Sequence, residues 1–234
     1  MRIPAYVLLL VGASASTAAG AVAKITYLVP PGQPAAAFPP PNRPVSAVVS
    51  SRWSTEPARN DSGEAATVLG GIAPLDGLTI ADIGAGDGYY EARLAQAVGP
   101  RGRVIAEDID PATLAKLAKR VATDPNVTIA LGEPHDPRLA PDSIDIALMV
   151  HMYHEITQPY ALLWNLRASL KPRGRIAIVD ADRPTSRHGT PPALLKCELA
   201  AVGYVERSTR PVDAGVYLAV FEKVTAPATI TPCR

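Results

Sequence analysis

Hydrophobic and polar residues follow two periods along this chain, one typical of strands and one typical of helices. Short apolar runs rich in β-branched residues predict strands at 78–82, 103–108, 126–131, 144–150, 175–180 and 216–221. Apolar residues at helical spacing predict helices at 64–72, 90–98, 111–121, 161–170 and 191–202. Strands that alternate with helices in this way predict a parallel sheet that carries helices on both faces.

The first residues have the composition of an export signal. Arg2 supplies a positive charge, residues 6–11 are apolar, and residues 21–23 read Ala-Val-Ala, a small-residue cleavage pattern. We therefore predict a signal peptide over residues 1–23 and a periplasmic or secreted protein. Because residues 5–23 carry no charge, an N-terminal membrane anchor is the first alternative, and a cytoplasmic protein is the second.

Proline is concentrated just after this segment. The chain has 24 prolines in 234 residues, about twice the usual share, and residues 30–44 hold many of them. Proline fixes φ and removes amide donors, so this run favours extended chain. We predict a Pro-rich extended linker or strap over residues 24–58, one folded domain over 59–224 and a C-terminal tail over 225–234.

Composition excludes several classes of protein. Hydrophobic residues make up 47% of the chain and charged residues 19%, which excludes wholesale disorder. The formal net charge of +1 gives no basic surplus, so no nucleic-acid partner is expected. Two cysteines cannot form a disulfide scaffold or a four-cysteine zinc site. Cys197 lies in a helical pattern and is expected to be a small core residue, with a bridge to Cys233 as the alternative.

A glycine-rich loop follows the first predicted strand. Residues 82–88 read Asp-Ile-Gly-Ala-Gly-Asp-Gly, and glycines let a ligand approach the backbone closely. Asp108 ends the second predicted strand, where its carboxylate can accept hydrogen bonds from both hydroxyls of a ribose. The pattern therefore predicts a nucleoside site. A dinucleotide is the rival ligand, but Tyr89 occupies a position that a G-x-G-x-x-G loop keeps open, and Asp82 would repel a pyrophosphate.

These segments resemble the motifs of class I S-adenosylmethionine-dependent methyltransferases, and the resemblance extends over residues 59–222. Residues 132–134, 145–151 and 170–180 are similar to the family's motifs at the third, fourth and fifth strands. Predicted bacterial methyltransferases with export signals are the most similar group. The resemblance implies an α/β fold with a Rossmann-like, seven-stranded, mostly parallel sheet and an antiparallel C-terminal hairpin. In that hairpin, residues 207–214 would form the connection before the last strand.

The resemblance also implies a cofactor and an activity. The cofactor would be S-adenosyl-L-methionine, and the enzyme would transfer its methyl group to a small molecule. The loop would wrap the methionine end, Asp108 would hold the ribose, and Glu133 would accept a hydrogen bond from the adenine amine. The residues expected at the cofactor are Asp82, Gly84, Ala85, Gly86, Gly88, Asp108, Ile109, Glu133 and Pro134. Trp53 and Arg59 are expected either to pack the N-terminal segment on the sheet or to cover the cofactor.

Candidate catalytic groups follow the third, fourth and fifth predicted strands. The histidines of the chain all lie there: His135, His151, His154 and His188. An imidazole that titrates near neutrality can remove a proton from a hydroxyl or amine acceptor. We predict that His151, His154 and Asp180 are catalytic, with Tyr153 as a neighbouring hydroxyl.

Other interpretations of these residues stay open. The histidines could form a structural rim that bonds backbone carbonyls. A metal could be held by residues drawn from His151, His154, Asp180, Asp182 and His188, because imidazole and carboxylate suit zinc, iron or manganese. No pair has the i, i+4 spacing of zinc hydrolases, so we predict no metal ligand. The alternative function is an exported, non-catalytic protein that holds a metal or another ligand on the same fold, and nothing in the pattern indicates an oligomeric state.

Overall fold

The computed structural model of the chain describes residues 25–48 and 55–233. Its strands are β1 Thr79–Ile83, β2 Arg103–Asp108, β3 Val127–Leu131, β4 Ile144–Val150, β5 Leu170–Ala181, β6 Tyr204–Asp213 and β7 Val216–Lys223. They form one seven-stranded sheet in the order β3-β2-β1-β4-β5-β7-β6. Strands β1 to β5 are parallel, and β7 runs antiparallel to both β5 and β6. The predicted signal peptide and Trp53 lie outside the described residues.

Helices cover both faces of this sheet. They are α1 Glu56–Asp61, α2 Glu64–Ile72, α3 Glu91–Val98, α4 Pro111–Arg120, α5 Pro159–Ser169 and α6 Pro192–Ala201. Successive side chains of a strand point to opposite faces. In β4, Ile146 and Leu148 pack with α2 and α3, whereas Ala147 and Met149 pack with α5 and α6. None of the described helices is long and apolar enough to span a membrane.

The last hairpin differs from the prediction in one segment. Residues 207–213, expected in a connection, continue β6 as far as Asp213. This strand lies at the edge of the sheet, has mostly exposed residues and is irregular near Pro211. Edge strands tolerate proline and polar residues because one row of their backbone groups faces solvent. The polar residues of this segment therefore predicted a connection where the structure has a strand.

Residues 25–48, the N-terminal strap, pack along the domain. Arg43 Nε donates to Glu198 Oε1 at 2.9 Å, and both side chains are almost fully buried. Further along the strap, the amide of Ser46 donates to the carbonyl oxygen of His154 at 3.1 Å. The strap thus contacts the segment after β4 that carries a predicted catalytic residue.

A disulfide ties the C-terminal tail to the domain. Cys197 of α6 is bonded to Cys233, so the prediction that Cys197 is an unbridged core residue is wrong. The tail folds back onto the helical layer, where the amide of Cys233 donates to Tyr160 Oη at 2.9 Å. This path brings the proline-flanked end of the chain within reach of α6.

Candidate functional site

A cleft of about 450 Å³ lies at the carboxyl ends of β1, β4 and β5, where parallel α/β sheets bind ligands. Its walls come from the loop after β1, from α1 and α2, and from the segments that follow β4 and β5. Its charged or titratable residues include Glu56, Arg59, Glu64, Asp82, Asp87, His151, His154, Glu155, Arg183, His188 and Asp213. Of the predicted cofactor residues, Asp82, Gly84, Ala85 and Gly86 line the cleft.

Glycines in the left-handed region shape the loop between β1 and α3. Gly84, Gly86 and Gly88 have φ of 72°, 57° and 84°, values that L side chains rarely adopt. A Cβ on Gly88 would lie 2.3 Å from Leu117 of α4, whereas a Cβ on Gly86 would meet no atom closer than 4.0 Å. Gly88 therefore lets α4 pack against the loop, and Gly86 leaves open space at the cleft.

Asp108 lies beside this loop at the end of β2. Its Oδ2 accepts a hydrogen bond from the amide of Gly86 at 3.0 Å, and its Oδ1 accepts one from the amide of Asp110 at 2.9 Å. Burial raises the pKa of Asp108, and these bonds oppose the rise. A carboxylate has about four acceptor positions, so about two are left for ribose hydroxyls. Ile109 next to it is an exposed apolar side chain, and the cofactor roles of both residues stay predictions.

Glu133 is already paired with two basic side chains. Its Oε1 accepts from Arg138 Nη1 at 2.7 Å, and its Oε2 lies 3.6 Å from His135 Nε2. Glu133 and the exposed Pro134 lie outside the cleft lining, as does His135. The contact of Glu133 with adenine stays a prediction. In such a contact the Glu133 carboxylate would accept hydrogen bonds from both adenine and Arg138.

Buried carboxyl groups support the glycine loop: Asp82, Glu91 and Glu107. Burial raises the pKa of Glu91 to about 7. Burial, together with the charge of Glu91, raises the pKa of Asp82 well above its usual range. Burial and the like charge of Glu91 thus both disfavour the ionised form of Asp82. Glu107 Oε2 accepts from the amide of Gly84 at 3.3 Å, and burial raises its pKa as well.

Glu64, at the start of α2, binds three side chains on one wall of the cleft. Its Oε1 accepts from Arg59 Nη2 at 2.6 Å and from Tyr90 Oη at 2.9 Å. Its Oε2 accepts from His151 Nε2 at 3.1 Å. Burial alone would raise the pKa of Glu64, but the bonds from His151 and Arg59 outweigh burial and lower it to about 2. His151 has a φ of 54°, a strained conformation for histidine, and this carboxylate holds its ring.

His154 and Asp180 form a buried pair at the other predicted catalytic positions. His154 Nδ1 lies 2.9 and 3.1 Å from the two carboxylate oxygens of Asp180. Asp180 also accepts from the amide of Ala181 and the hydroxyl of Thr190, so Nδ1 is the atom that carries the proton. The Nε2 atom is buried, lies 3.9 Å from Glu155 Oε1 and has no hydrogen-bond partner in the described residues. The pair therefore leaves an unshared lone pair on Nε2 of a side chain that lines the cleft.

Tyr153 does not contribute a hydroxyl to the cleft, and the prediction that it would is wrong. Its side chain is fully buried, and its Oη donates to Glu198 Oε2 at 2.9 Å. The short 3₁₀ turn after β4 directs Tyr153 into the core and the next residue, His154, to the cleft. His188 joins His154 there, edge-on, with 5.5 Å between ring centroids. Asp182, considered above as a metal ligand, is exposed and outside the lining.

Three buried acidic residues of this region had no clear signal in the sequence: Glu64, Glu91 and Glu107. Glu64 and Glu91 begin helices, where acidic residues are common because they oppose the helix dipole. Glu107 is adjacent to Asp108 in a strand that reads as buried. The only sequence signal for its position is Gly132, because a Cβ there would overlap the Glu107 carboxylate.

Part of the chain is similar to a described protein family and to two curated proteins. Residues 80–174 match the family model described as "Methyltransferase domain". An arsenite methyltransferase of Halobacterium salinarum is 31% identical over 110 residues, which cover 46% of this chain and 28% of that protein. An uncharacterized 37.1 kDa protein in transposon TN4556 of Streptomyces fradiae is 30% identical over 115 residues, which cover 49% of this chain and 33% of that protein. The chain thus spans about a third of the length of these curated relatives.

A solved structure extends the comparison to most of the fold. A SAM-dependent methyltransferase from Aquifex aeolicus superimposes with a TM-score of 0.65 at 24% identity, covering 72% of this chain and 94% of that chain. The predicted seven-stranded sheet with its antiparallel last strands is confirmed. Residues 80–174 are therefore similar to a methyltransferase domain, and the chain has the Rossmann-like fold of the class I S-adenosylmethionine-dependent methyltransferases.

Proposed function

We propose that this protein transfers a methyl group from S-adenosyl-L-methionine to a hydroxyl or amine of a small molecule. The observation that carries the proposal is the position of the His154 and Asp180 pair. His154 lines the same cleft as the glycine loop of the methyltransferase domain, with Asp180 behind it. One side of the cleft thus fits a cofactor, and the other fits an acceptor that must lose a proton.

The loop side of the cleft fits a nucleoside with a positively charged end. Gly86 leaves open space, and Asp108 keeps unused acceptor positions beside it. Asp87 places a carboxyl group at the loop, which favours a cationic ligand over a pyrophosphate. When bound, the cofactor supplies an electrophilic methyl group on a sulfonium sulfur.

His154 is our candidate for the group that removes the acceptor's proton. Asp180 holds the Nδ1 proton, fixes the ring and stabilises the imidazolium that forms, so Nε2 is the atom that accepts. His151 Nε2 is already bonded to Glu64. We therefore assign His151 to positioning the acceptor rather than to proton removal.

The cysteines of the chain argue against a thiophilic acceptor. The relative from Halobacterium salinarum is named an arsenite methyltransferase, and trivalent arsenic is a soft centre that binds thiolates. The only two cysteines here, Cys197 and Cys233, are bonded to each other, and neither lines the cleft. Oxygen and nitrogen acceptors suit the imidazole and carboxylate groups that are present.

A turnover assay with methyl-labelled S-adenosylmethionine tests this proposal. The purified protein is incubated with the labelled cofactor and with either a small-molecule extract of its host or arsenite. We expect label to enter a hydroxyl or amine compound of the extract, and we expect His154→Gln to prevent this transfer. Transfer to arsenite but to no oxygen or nitrogen acceptor would contradict the proposed acceptor class.

We also propose that the protein is exported. The composition of residues 1–23 and the Cys197–Cys233 disulfide support this location, because structural disulfides persist in oxidising compartments. Fractionation of host cells should give a processed, disulfide-bonded chain in the periplasm or medium. A full-length chain with free thiols in the cytoplasm would reject export, and an unprocessed chain in the membrane fraction would support the anchor.

A further inference from the structure

We propose that the cleft also binds one divalent transition-metal ion between His154, Glu155 and His188. One ligand atom from each of these side chains lies within 4.8 Å of the others. All three residues line the cleft. His154 and Glu155 come from the turn after β4, and His188 follows the turn after β5. Two neighbouring strand ends thus bring together two imidazoles and a carboxylate.

Asp180 prepares His154 to bind a metal. Histidines that bind metals usually donate their other ring N–H to a carboxylate, which fixes the tautomer and the ring orientation. Nδ1 of His154 makes such a bond to Asp180, and the hydroxyl of Thr190 holds the same carboxylate at 2.7 Å. This arrangement leaves Nε2 as the free ligand atom of a fixed ring.

The buried Nε2 atom of His154 also indicates a ligand at this position. His154 is only 2% exposed, and its Nε2 has no hydrogen-bond partner among the described residues. Buried polar atoms in folded proteins nearly always have a partner, and a bound ion or water often fills this role where no protein group does. Because Nε2 lies 3.9 Å from Glu155 Oε1, a cation bound between the two atoms would give Nε2 a partner.

The ligand set selects the kind of metal. Two imidazoles and one carboxylate suit zinc, iron, cobalt or nickel, whereas magnesium and calcium prefer oxygen ligands alone. Ligands of a tetrahedral zinc lie about 3.3 Å apart, given bonds of about 2.0–2.1 Å. The present separations of up to 4.8 Å must therefore shorten when a metal binds. Three protein ligands leave a coordination position for a water or substrate, as in catalytic zinc sites.

Metal binding does not depend on methyl transfer, but its role in turnover rests on the proposed function. A metal would occupy the Nε2 lone pair of His154, so the imidazole could not then accept a proton. A hydroxyl bound to the metal has a lowered pKa, and its proton would leave to solvent before the oxygen attacks the methyl group. The metal would thus replace the imidazole in activating the acceptor.

Zinc titration of the chelator-treated full-length protein tests the site, by calorimetry and by metal analysis after gel filtration. We expect one zinc per chain. His188→Asn keeps a residue that tolerates positive φ, and Glu155→Gln keeps the side-chain size, so both variants should fold. Each should bind zinc at least about tenfold more weakly, and Asp180→Asn should weaken binding by about 10- to 100-fold. His135→Ala, which removes an imidazole outside the cluster, should bind as the wild type does.

Three outcomes overturn the proposal. The first is binding of less than one zinc per folded chain. The second is an unchanged affinity for zinc in both His188→Asn and Glu155→Gln. The third is loss of zinc binding in His151→Ala while His188→Asn still binds zinc. Binding of S-adenosylhomocysteine is measured on the same samples. Zinc binding without cofactor binding would support the metal site and reject methyl transfer. Cofactor binding without zinc binding would reject the metal site and leave the proposed methyl transfer standing.

Discussion

His154 and Asp180 come from the ends of neighbouring parallel strands and meet in the interior, with Nδ1 2.9 Å from Oδ1. Asp180 lies near the end of β5, and His154 lies in the turn that follows β4. Their contact places an imidazole that is hydrogen-bonded to a carboxylate at the wall of the cleft. The roles assigned to the cleft depend on this pair.

Loss of either member of the pair should lower turnover without loss of cofactor affinity. A positioned general base contributes roughly 10²- to 10⁴-fold to a rate. We therefore expect kcat to fall by about that factor in His154→Gln and by a smaller factor in Asp180→Asn. Steady-state kinetics and the Kd for S-adenosylhomocysteine check this. Full turnover in His154→Gln would give the pair a structural role only.

Asp108 and Asp110 offer a matched pair of substitutions near the cofactor. Asp108→Ala should weaken cofactor binding by about 1.5–3 kcal/mol, the value of a hydrogen bond to a charged group. Asp110 caps α4 by accepting from the amides of Ala112 and Thr113. Asp110→Ala should therefore cost about 0.5–2 kcal/mol of unfolding free energy and leave cofactor affinity unchanged. Equal cofactor affinities in the two variants would remove Asp108 from the site.

Glu91 should make stability depend on pH. Its pKa in the folded protein is about 7, above the value of about 4.3 for an unfolded chain. The folded state thus binds more protons, so stability falls as pH rises from about 4.3 to about 7 and then stays level. Glu91→Gln removes this cost and should raise the unfolding free energy by roughly 1–3 kcal/mol at pH about 8. Denaturant unfolding should show a much smaller gain at pH about 5, and an equal gain at both pH values would contradict the assignment.

The disulfide should contribute strongly to stability. It closes a loop between residues 36 positions apart, for which chain entropy gives about 3–4 kcal/mol. Reductant should therefore lower the Tm of the wild type, whereas the Cys197→Ala, Cys233→Ala double variant should start lower and be insensitive to reductant. A Tm of the wild type that reductant leaves unchanged would show that the tail is not bridged.

The sequence pattern predicts the central part of the fold well. Buried parallel strands are continuous β-branched runs, and the predicted range for β4 agrees with the observed Ile144–Val150. The edge strand β6 lacks this continuous apolar run, because one side of the strand faces solvent, and the pattern therefore does not predict its full length. The hydrophobic pattern does not predict the disulfide or the packing of the strap, because both depend on contacts between distant segments, such as Arg43 with Glu198.

The sequence predicts only part of the candidate site, because local patterns show which residues follow strands but not which distant segments come into contact. Loops that follow parallel strands share one edge of the sheet, so the glycine loop and His154 are expected to meet, and both line the cleft. Glu64 reaches His151 from a helix 87 positions earlier in the chain, and no local pattern predicts that contact. The direction of Tyr153, into the core, depends on the 3₁₀ turn rather than on the residue type.

Calorimetric titration of the purified protein with S-adenosylmethionine and with S-adenosylhomocysteine tests directly whether the cleft binds the cofactor of methyl transfer. We expect saturable binding of one molecule per chain for each compound, weakened in Asp108→Ala and retained in His154→Gln. A folded protein that binds neither compound, with or without added zinc, would contradict methyl transfer as the function of this cleft.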